Sequence, residues 1–354
     1  MKTKPSEAAE ARLRIPINFK DQRVLLLICI IGLGLITFAV NPKFLDPINI
    51  ISLFGQISVI GVLTMGMSKL LLSGSVDLSI GNIMALSGCV MAVLITGTTA
   101  GTAGGRADTD EMAFTVLQTD TGITSVPVAI IIGILVATGC GWLNGFIIQK
   151  TKTMSLIITL GMNTVYFGIA LLITDGRFMS FKMAFEPLRL TRIGDVVPVT
   201  LFFFFAVVIF SFILVNRTKF GRRIVAIGGN EMNARFSGIK VDNYKIRTFV
   251  IMGILCGIAA IIYASRLDAI KANSGDGYAL EALIAAIIGG VTFDGGKGTI
   301  SGTFLGVLFM GLIKNAMNMM QVSSNMQYVI MGIIIVVAVI ISNMENIRKE
   351  FGMR

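Results

Sequence analysis

Apolar runs long enough to cross a lipid bilayer recur from residue 24 to residue 343, separated by polar stretches. A transmembrane helix needs about 20 mostly apolar residues. Candidate spans fall at 24–40, 49–72, 79–97, 126–149, 154–174, 198–216, 246–266, 280–293, 299–319 and 327–343. In lipid every backbone N–H and C=O must be bonded internally, so such runs become helices. The expected fold is all-α and polytopic, with about ten transmembrane helices. The eighth run is short and interrupted by glycine, which predicts a broken or re-entrant segment near 280–298. Irregular backbone at membrane depth is tolerated only where protein or a water-filled cavity shelters it. Charged residues make up only 14% of the chain and mean hydropathy is +0.82. A soluble surface needs about 25% charge, so lipid is the solvent this sequence suits.

Several kinds of chemistry are excluded early. There is no histidine, the commonest general base and metal ligand. Cys29, Cys89, Cys140 and Cys256 stand singly inside apolar runs, with no metal or disulfide spacing. No metal site and no bound cofactor are expected. The net charge of +10 sits between apolar runs, the signature of membrane orientation and not of nucleic-acid binding.

Lys and Arg in short loops mark the cytoplasmic side. Lys2, Lys4, Arg12, Arg14, Lys20 and Arg23 precede the first span, and Val24–Val40 reads as an uncleaved first span. The densest basic stretch is Arg217, Lys219, Arg222, Arg223, Arg235, Lys240, Lys245 and Arg247. These place a tail (1–23), a loop (217–245) and a second tail (344–354) inside, flanking a transmembrane domain over 24–343. The acidic, Gly/Thr-rich loop 98–125 falls outside. Loop 175–197, with Arg177, Lys182, Arg189 and Arg192, dissents from this pattern.

Three segments carry the most information. Gly74-Ser75-Val76-Asp77-Leu78-Ser79-Ile80-Gly81 puts a carboxylate between apolar runs, where an unpaired charge is costly. Asp77 or Ser79 reads as a helix N-cap, or the segment reads as a broken helix beside a pathway. In the 218–239 stretch, Asn230 fits an N-cap and Gly238 a C′ residue, predicting a helix of about two turns. Such a helix is too short to stand alone. It serves as a docking knob on the cytoplasmic face, or the loop merely satisfies the positive-inside rule. Gly289-Gly290-Val291-Thr292-Phe293-Asp294-Gly295-Gly296-Lys297-Gly298-Thr299 fails as a phosphate loop, because Val291 and Gly298 stand where Gly and Ser/Thr are required. It reads as a tight turn, with Gly302 and Gly306 forming a small-residue packing face.

Together these segments resemble the permease family of sugar-type ATP-binding-cassette importers, of the ribose, galactose and arabinose kind. The resemblance is carried by Gly74–Gly81, Trp142-Leu143-Asn144-Gly145, Ser155-Leu156-Ile157-Ile158-Thr159-Leu160-Gly161-Met162, Ala226–Ile239, the Gly289–Gly302 stretch and Gln327-Tyr328-Val329-Ile330, in family order. It implies a monosaccharide permease in a bacterial-type cell membrane. It also implies a second copy or a paralogous permease, a cytoplasmic ATPase that uses ATP-Mg, and an extracytoplasmic sugar-binding protein. By resemblance the ATPase-coupling segment contains Gly228, Gly229, Asn230, Glu231, Ala234, Arg235, Ser237 and Gly238. The family usually reads Glu-Ala-Ala-Arg-Leu-Ser-Gly there, and this chain has Met232-Asn233-Ala234-Arg235-Phe236-Ser237-Gly238.

A sugar's passage needs hydrogen-bonding groups without a charge relay. Gln56, Asp77, Ser79, Asn144, Thr159, Asn163 and Asn315 are the candidate pathway or gating residues. Each polar span residue, Asn318 included, also reads as interhelical glue. A branched-chain amino-acid permease and a stand-alone secondary carrier are the alternatives. A weak echo between 141–162 and 306–332 fits an internal repeat in either class. An enzyme or an ion channel finds little support in these residues.

Overall fold

The computed structural model describes residues 22–97, 124–186, 188, 192–193, 197–323, 325–334 and 336–337. Nearly all of the predicted 98–125 loop and of both predicted tails lies outside the described residues. The helices are α1 (Gln22–Val40), α2 (Pro47–Leu72), α3 (Ile80–Thr96), α4 (Val126–Thr151), α5 (Ser155–Thr174), α6 (Val199–Arg217), α7 (Lys219–Gly229), α8 (Glu231–Phe236), α9 (Val241–Leu267), α10 (Tyr278–Ile288), α11 (Ile300–Met319) and α12 (Asn325–Ile334). Two antiparallel pairs of two-residue strands accompany them: β1 (Met179–Ser180) with β4 (Ala269–Ile270), and β2 (Arg192–Ile193) with β3 (Val197–Pro198).

Seven helices (α1, α2, α4, α5, α6, α9 and α11) are long and apolar enough to cross a membrane, while α3, α10 and α12 are apolar but shorter. The all-α polytopic class expected from the sequence holds, with seven described helices of crossing length where about ten spans were expected. The predicted broken segment near 280–298 is α10, 11 residues long, followed by a turn. At ~1.5 Å per residue it covers about half the ~30 Å hydrocarbon thickness.

Burial separates an inner layer from an outer one. In the most apolar window of α2 and of α9, 67% of residues are buried, against 11% in α1 and 17–22% in α4, α5 and α6. From Ile57 to Leu72 every residue of α2 is buried, as is every residue of α3 from Ile80 to Cys89. The outer helices instead present side chains such as Leu25, Leu35, Ile131, Leu172 and Ile209 to the surroundings, as lipid-facing helices do.

The inner helices approach closely because glycines leave room. On α4 and α9, Gly141 meets Gly253, while Gly145 lies against Ile246 and Phe249 and Gly257 against Ile134. A Cβ at Gly141 would lie 2.4 Å from the Phe249 carbonyl oxygen, and one at Gly253 would lie 2.4 Å from that of Ala137. The predicted Gly302/Gly306 face does the same against Gly289 and Ala285.

Two similar units are visible. The long α2 runs into a break at 73–79, then the short α3, then α4. The long α9 runs into a break at 268–277, then the short α10, then α11. Helix α2 packs on α10 and α11 as α9 packs on α3 and α4. The two long helices are antiparallel, Gly55 lying against Arg266 and Gly66 against Met252. The second break meets the first turn of α3 at Gly275 and Gly81, whose backbones leave no space for a side chain on either. The echoing segments 141–162 and 306–332 fall on the corresponding pairs α4–α5 and α11–α12.

Candidate functional site

The break between α2 and α3 is the most polar point of the buried core. Helix α2 ends in a left-handed Gly74 (φ 71°), with Ser75 N–H bonded to Leu70 O and Gly74 N–H to Leu71 O. The chain then runs extended, and its free backbone groups are met by side chains. Val76 N–H donates to Ser155 Oγ (3.0 Å) and Leu78 N–H to Thr159 Oγ1 (3.1 Å), both on α5. Asp77 is fully buried. Its Oδ1 accepts from the Ser79 N–H (2.8 Å) and hydroxyl (2.6 Å), and its Oδ2 from Asn144 Nδ2 (3.2 Å). Asn144 Nδ2 also donates to Ser79 Oγ (2.8 Å), and the Tyr166 hydroxyl lies 2.8 Å from Asn144 Oδ1.

Asp77, Ser79, Asn144 and Thr159 therefore form one cluster that joins the break to α4 and α5. The N-cap expectation needs correction. Ser79 occupies the cap position without a side-chain cap bond, and the Asp77 carboxylate closes a local turn onto Ser79 instead. The cluster's side-chain partners lie within the protein, so its direct effect is to fasten the broken segment.

The remaining pathway candidates are dispersed. Asn163 accepts from Asn82 Nδ2 through its backbone carbonyl (3.0 Å), and Asn82 Oδ1 is buried without a partner among the described residues. Asn315 exchanges amide hydrogen bonds with Asn49 (2.8 and 3.2 Å), joining α11 to α2 as interhelical glue. Gln56 lines a cavity of about 220 Å³ together with Arg266, Tyr278, Glu281 and Lys314.

The predicted coupling segment is two helices. Amphipathic α7 buries Gly221, Ile224 and Ile227, and Thr218 caps it by accepting from Gly221 N–H (3.3 Å). Asn230 then caps α8, its Oδ1 accepting from Asn233 N–H (2.9 Å), and Gly238 closes it with φ 78°. Ion pairs link Lys152–Asp242 (2.7 Å), Asp242–Arg235 (2.5 Å), Arg235–Glu231 (2.8 Å) and Glu231–Lys245 (2.6 Å). Burial pushes the Glu231 carboxyl up, but its bonds to Lys245 and Arg235 outweigh that and hold it below the usual range. The Asp242 carboxyl, opposed by burial, is likewise held low by Lys152 and Arg235. Two large apolar side chains of α8, Met232 and Phe236, stay exposed at i and i+4.

Gly228 and Gly229 sit where three segments converge. Gly228 abuts the Leu72 carbonyl and the Gly296 N–H, Gly229 lies under Gly296, and Gly295 packs on Gly74. Gly296 N–H donates to Leu72 O (3.2 Å). The α7–α8 segment thereby contacts both the end of α2 and the turn after α10.

Sequence reasoning missed Tyr166, Ser155 and Asn82 in the break, and Arg266, Tyr278, Glu281 and Lys314 around the cavity. It also missed Lys69, fully buried in α2, whose Nζ donates to Met65 O (2.6 Å) and Ser211 Oγ (2.8 Å). Charges inside apolar runs were the available signal for Lys69, Glu281 and Lys314. Among the described residues no three His, Cys, Asp or Glu side chains gather to hold a metal.

A many-helix membrane bundle with two broken helices meeting in its core, and a polar segment abutting both, is the architecture of a multi-pass transport protein. Residues 49–339 match the family described as branched-chain amino acid transport system, permease component. The ribose import permease protein of Bacillus subtilis is 34% identical over 319 residues, 89% of this chain and 90% of that protein. The D-allose transport system permease protein of Escherichia coli is 33% identical over 303 residues, 85% of each. The L-arabinose transport system permease protein of the same organism is 33% identical over 310 residues, 87% of each. The chain belongs to this family of transport-system permease components. No solved structure matches.

Proposed function

We propose that the chain is the membrane permease of an ATP-driven importer that moves a monosaccharide. The similar proteins carry ribose, allose and arabinose in their names, and they favour a sugar over a branched-chain amino acid. In this reading two permease copies, or one with a paralogue, flank a central pathway, and an extracytoplasmic binding protein delivers the sugar. The ATPase belongs to a separate cytoplasmic subunit. Both termini and the α7–α8 segment face the cytoplasm, and loop 98–125 faces outward.

The observation that carries the reading is the construction of α7–α8. A six-residue helix is unstable alone, yet this one is capped at both ends and tied by ion pairs to Asp242 and Lys245 of α9, Asp242 being held in turn by Lys152, while Met232 and Phe236 remain uncovered. A rigid knob with an apolar face suits a protein partner. Its junction at Gly228 and Gly229 carries displacement of that knob to the end of α2 and to the turn after α10. Gly228, Gly229, Asn230, Glu231, Ala234, Arg235, Ser237 and Gly238 are assigned to ATPase coupling. Asp77, Ser79, Asn144 and Thr159 hold the gate segment in place, while Gln56 and Asn163 remain pathway residues.

The test is purification of the tagged chain in mild detergent, with identification of co-purifying proteins, followed by uptake assays in liposomes. A stoichiometric ATPase and uptake of ribose, allose or arabinose dependent on binding protein are the expected result. Uptake by the chain alone would replace this reading with a secondary carrier, and uptake of leucine in place of sugars would replace the substrate. Phe236→Asp is expected to abolish ATPase co-purification while leaving membrane insertion intact, checked by the same pull-down.

A further inference from the structure

A cavity of about 220 Å³ opens among α2, α9, α10, α11 and α12. It lies toward the end of the bundle opposite α7–α8. Lys314 is five residues from the end of α11, and Arg266 is one residue from the end of α9. One liquid water occupies about 30 Å³, so the space holds roughly seven waters, or a small organic molecule with about ten to twelve non-hydrogen atoms.

Its polar wall mixes donors with an acceptor. Lys314 Nζ pairs with Glu281 Oε1 at 2.5 Å, leaving Glu281 Oε2 without a partner among the described residues. Arg266 and the Tyr278 hydroxyl also have no hydrogen-bond partner among the described residues, and neither is an enclosed unpaired group. Gln56 adds an amide, held only by a long bond to Ser52 (3.4 Å). The rest of the lining is largely apolar, with Ile60, Met310 and Met331. Arg266, Tyr278 and Glu281 are half-buried, so their open donors and acceptor are completed by whatever fills the cavity, water or a ligand.

The ligand chemistry follows from this mixture. With Lys314 neutralising Glu281, Arg266 repels a simple cation, while a simple anion would use the donors but not the Glu281 and Gln56 acceptors; the lining offers donors and acceptors together. A neutral molecule with adjacent hydroxyls satisfies both, because each hydroxyl accepts from Arg266 or Tyr278 and donates to Glu281 or Gln56. Its C–H face then lies on Ile60, Met310 and Met331. From the geometry we propose that this cavity is a monosaccharide-binding station inside a single subunit, separate from the interface between copies. This rests on the importer reading above. Arg266, Tyr278, Glu281 and Gln56 are its recognition residues, and Lys314 holds the Glu281 carboxylate in position.

The test uses the assembled importer in liposomes, first with the unaltered chain. Failure to take up ribose, allose or arabinose would overturn the importer reading, and the station falls with it. If uptake occurs, Met310→Cys places a thiol in the cavity, and its rate of alkylation is followed with and without the transported sugar on its binding protein. Slowed alkylation by that sugar, abolished by Tyr278→Phe together with a two- to tenfold loss of uptake, is the expected outcome. Where Met310→Cys does not assemble, Met331→Cys takes its place. Equal alkylation with and without sugar, in an importer that transports, would overturn the station and leave the importer reading standing.

Discussion

At the scale of single residues, the α2–α3 break is held by partners that cannot be removed singly without leaving others exposed. Asn144 reaches Asp77, Ser79 and Tyr166 at once. Asn144→Leu is expected to destabilise the protein by about 1–3 kcal/mol, because Asp77 Oδ2 loses its donor in a buried place. Tyr166→Phe, which removes one hydroxyl, should cost about 1 kcal/mol. Thermal unfolding in detergent ranks the two. The ion pairs of α8 give a pH dependence with a defined sign. Glu231 and Asp242 have folded-state values below the ordinary ones, so their contribution is complete above the usual carboxylate range of about 3.9–4.3. It is lost as pH falls through the lowered folded values. The protection of amides over 230–245, measured as exchange relative to the unstructured rate at each pH, should be high at neutral pH and fall as those values are approached, whereas protection that does not change in acid would contradict the ion pairing. Of these residues the sequence pointed to Asp77, Ser79, Asn144 and Thr159, because polar groups inside apolar runs stand out. That they would converge was not legible, since residues 67 and 65 positions apart meet only when α3 and α4 pack.

Among the elements, glycine spacing decides how closely helices lie. Gly253→Leu would drive a side chain into the Ala137 backbone, and backbone cannot give way as a flexible side chain does. A loss of about 1–3 kcal/mol or more is expected, seen as reduced monodispersity and earlier thermal unfolding, whereas the same change at Gly139, with open space around it, should be silent. The short helix α8 was legible with its cap and terminator, because Asn230 and Gly238 are local signals. The 11-residue α7 before it was not. Its sequence opens with basic residues that read as orientation markers, and its apolar face is defined only by packing. The broken α10 was anticipated from its glycines, but the matching break after α9 was not. Residues 268–277 form an irregular segment sheltered by α3, and shelter is a tertiary property.

At the scale of the whole molecule, orientation is the prediction with the widest consequence. Asp46 follows α1 and caps α2, accepting from Ile48 N–H at 2.9 Å. With the N-terminus inside, Asp46→Cys should react with an impermeant thiol reagent in intact cells, and protection there would invert the entire arrangement. By itself the sequence determined the lipid solvent, the helical class and the family. Each follows from composition or from short ordered motifs, which need no three-dimensional neighbour to be read. Only the tertiary structure decided that the break after α9 meets the start of α3 at Gly275 and Gly81, and that Gly228 and Gly229 join the coupling segment to both units. It also decided that Arg266, Tyr278, Glu281 and Lys314 share one cavity. These are coincidences in space between residues far apart in the chain. Local propensity and hydrophobic period carry no information about which buried faces will meet.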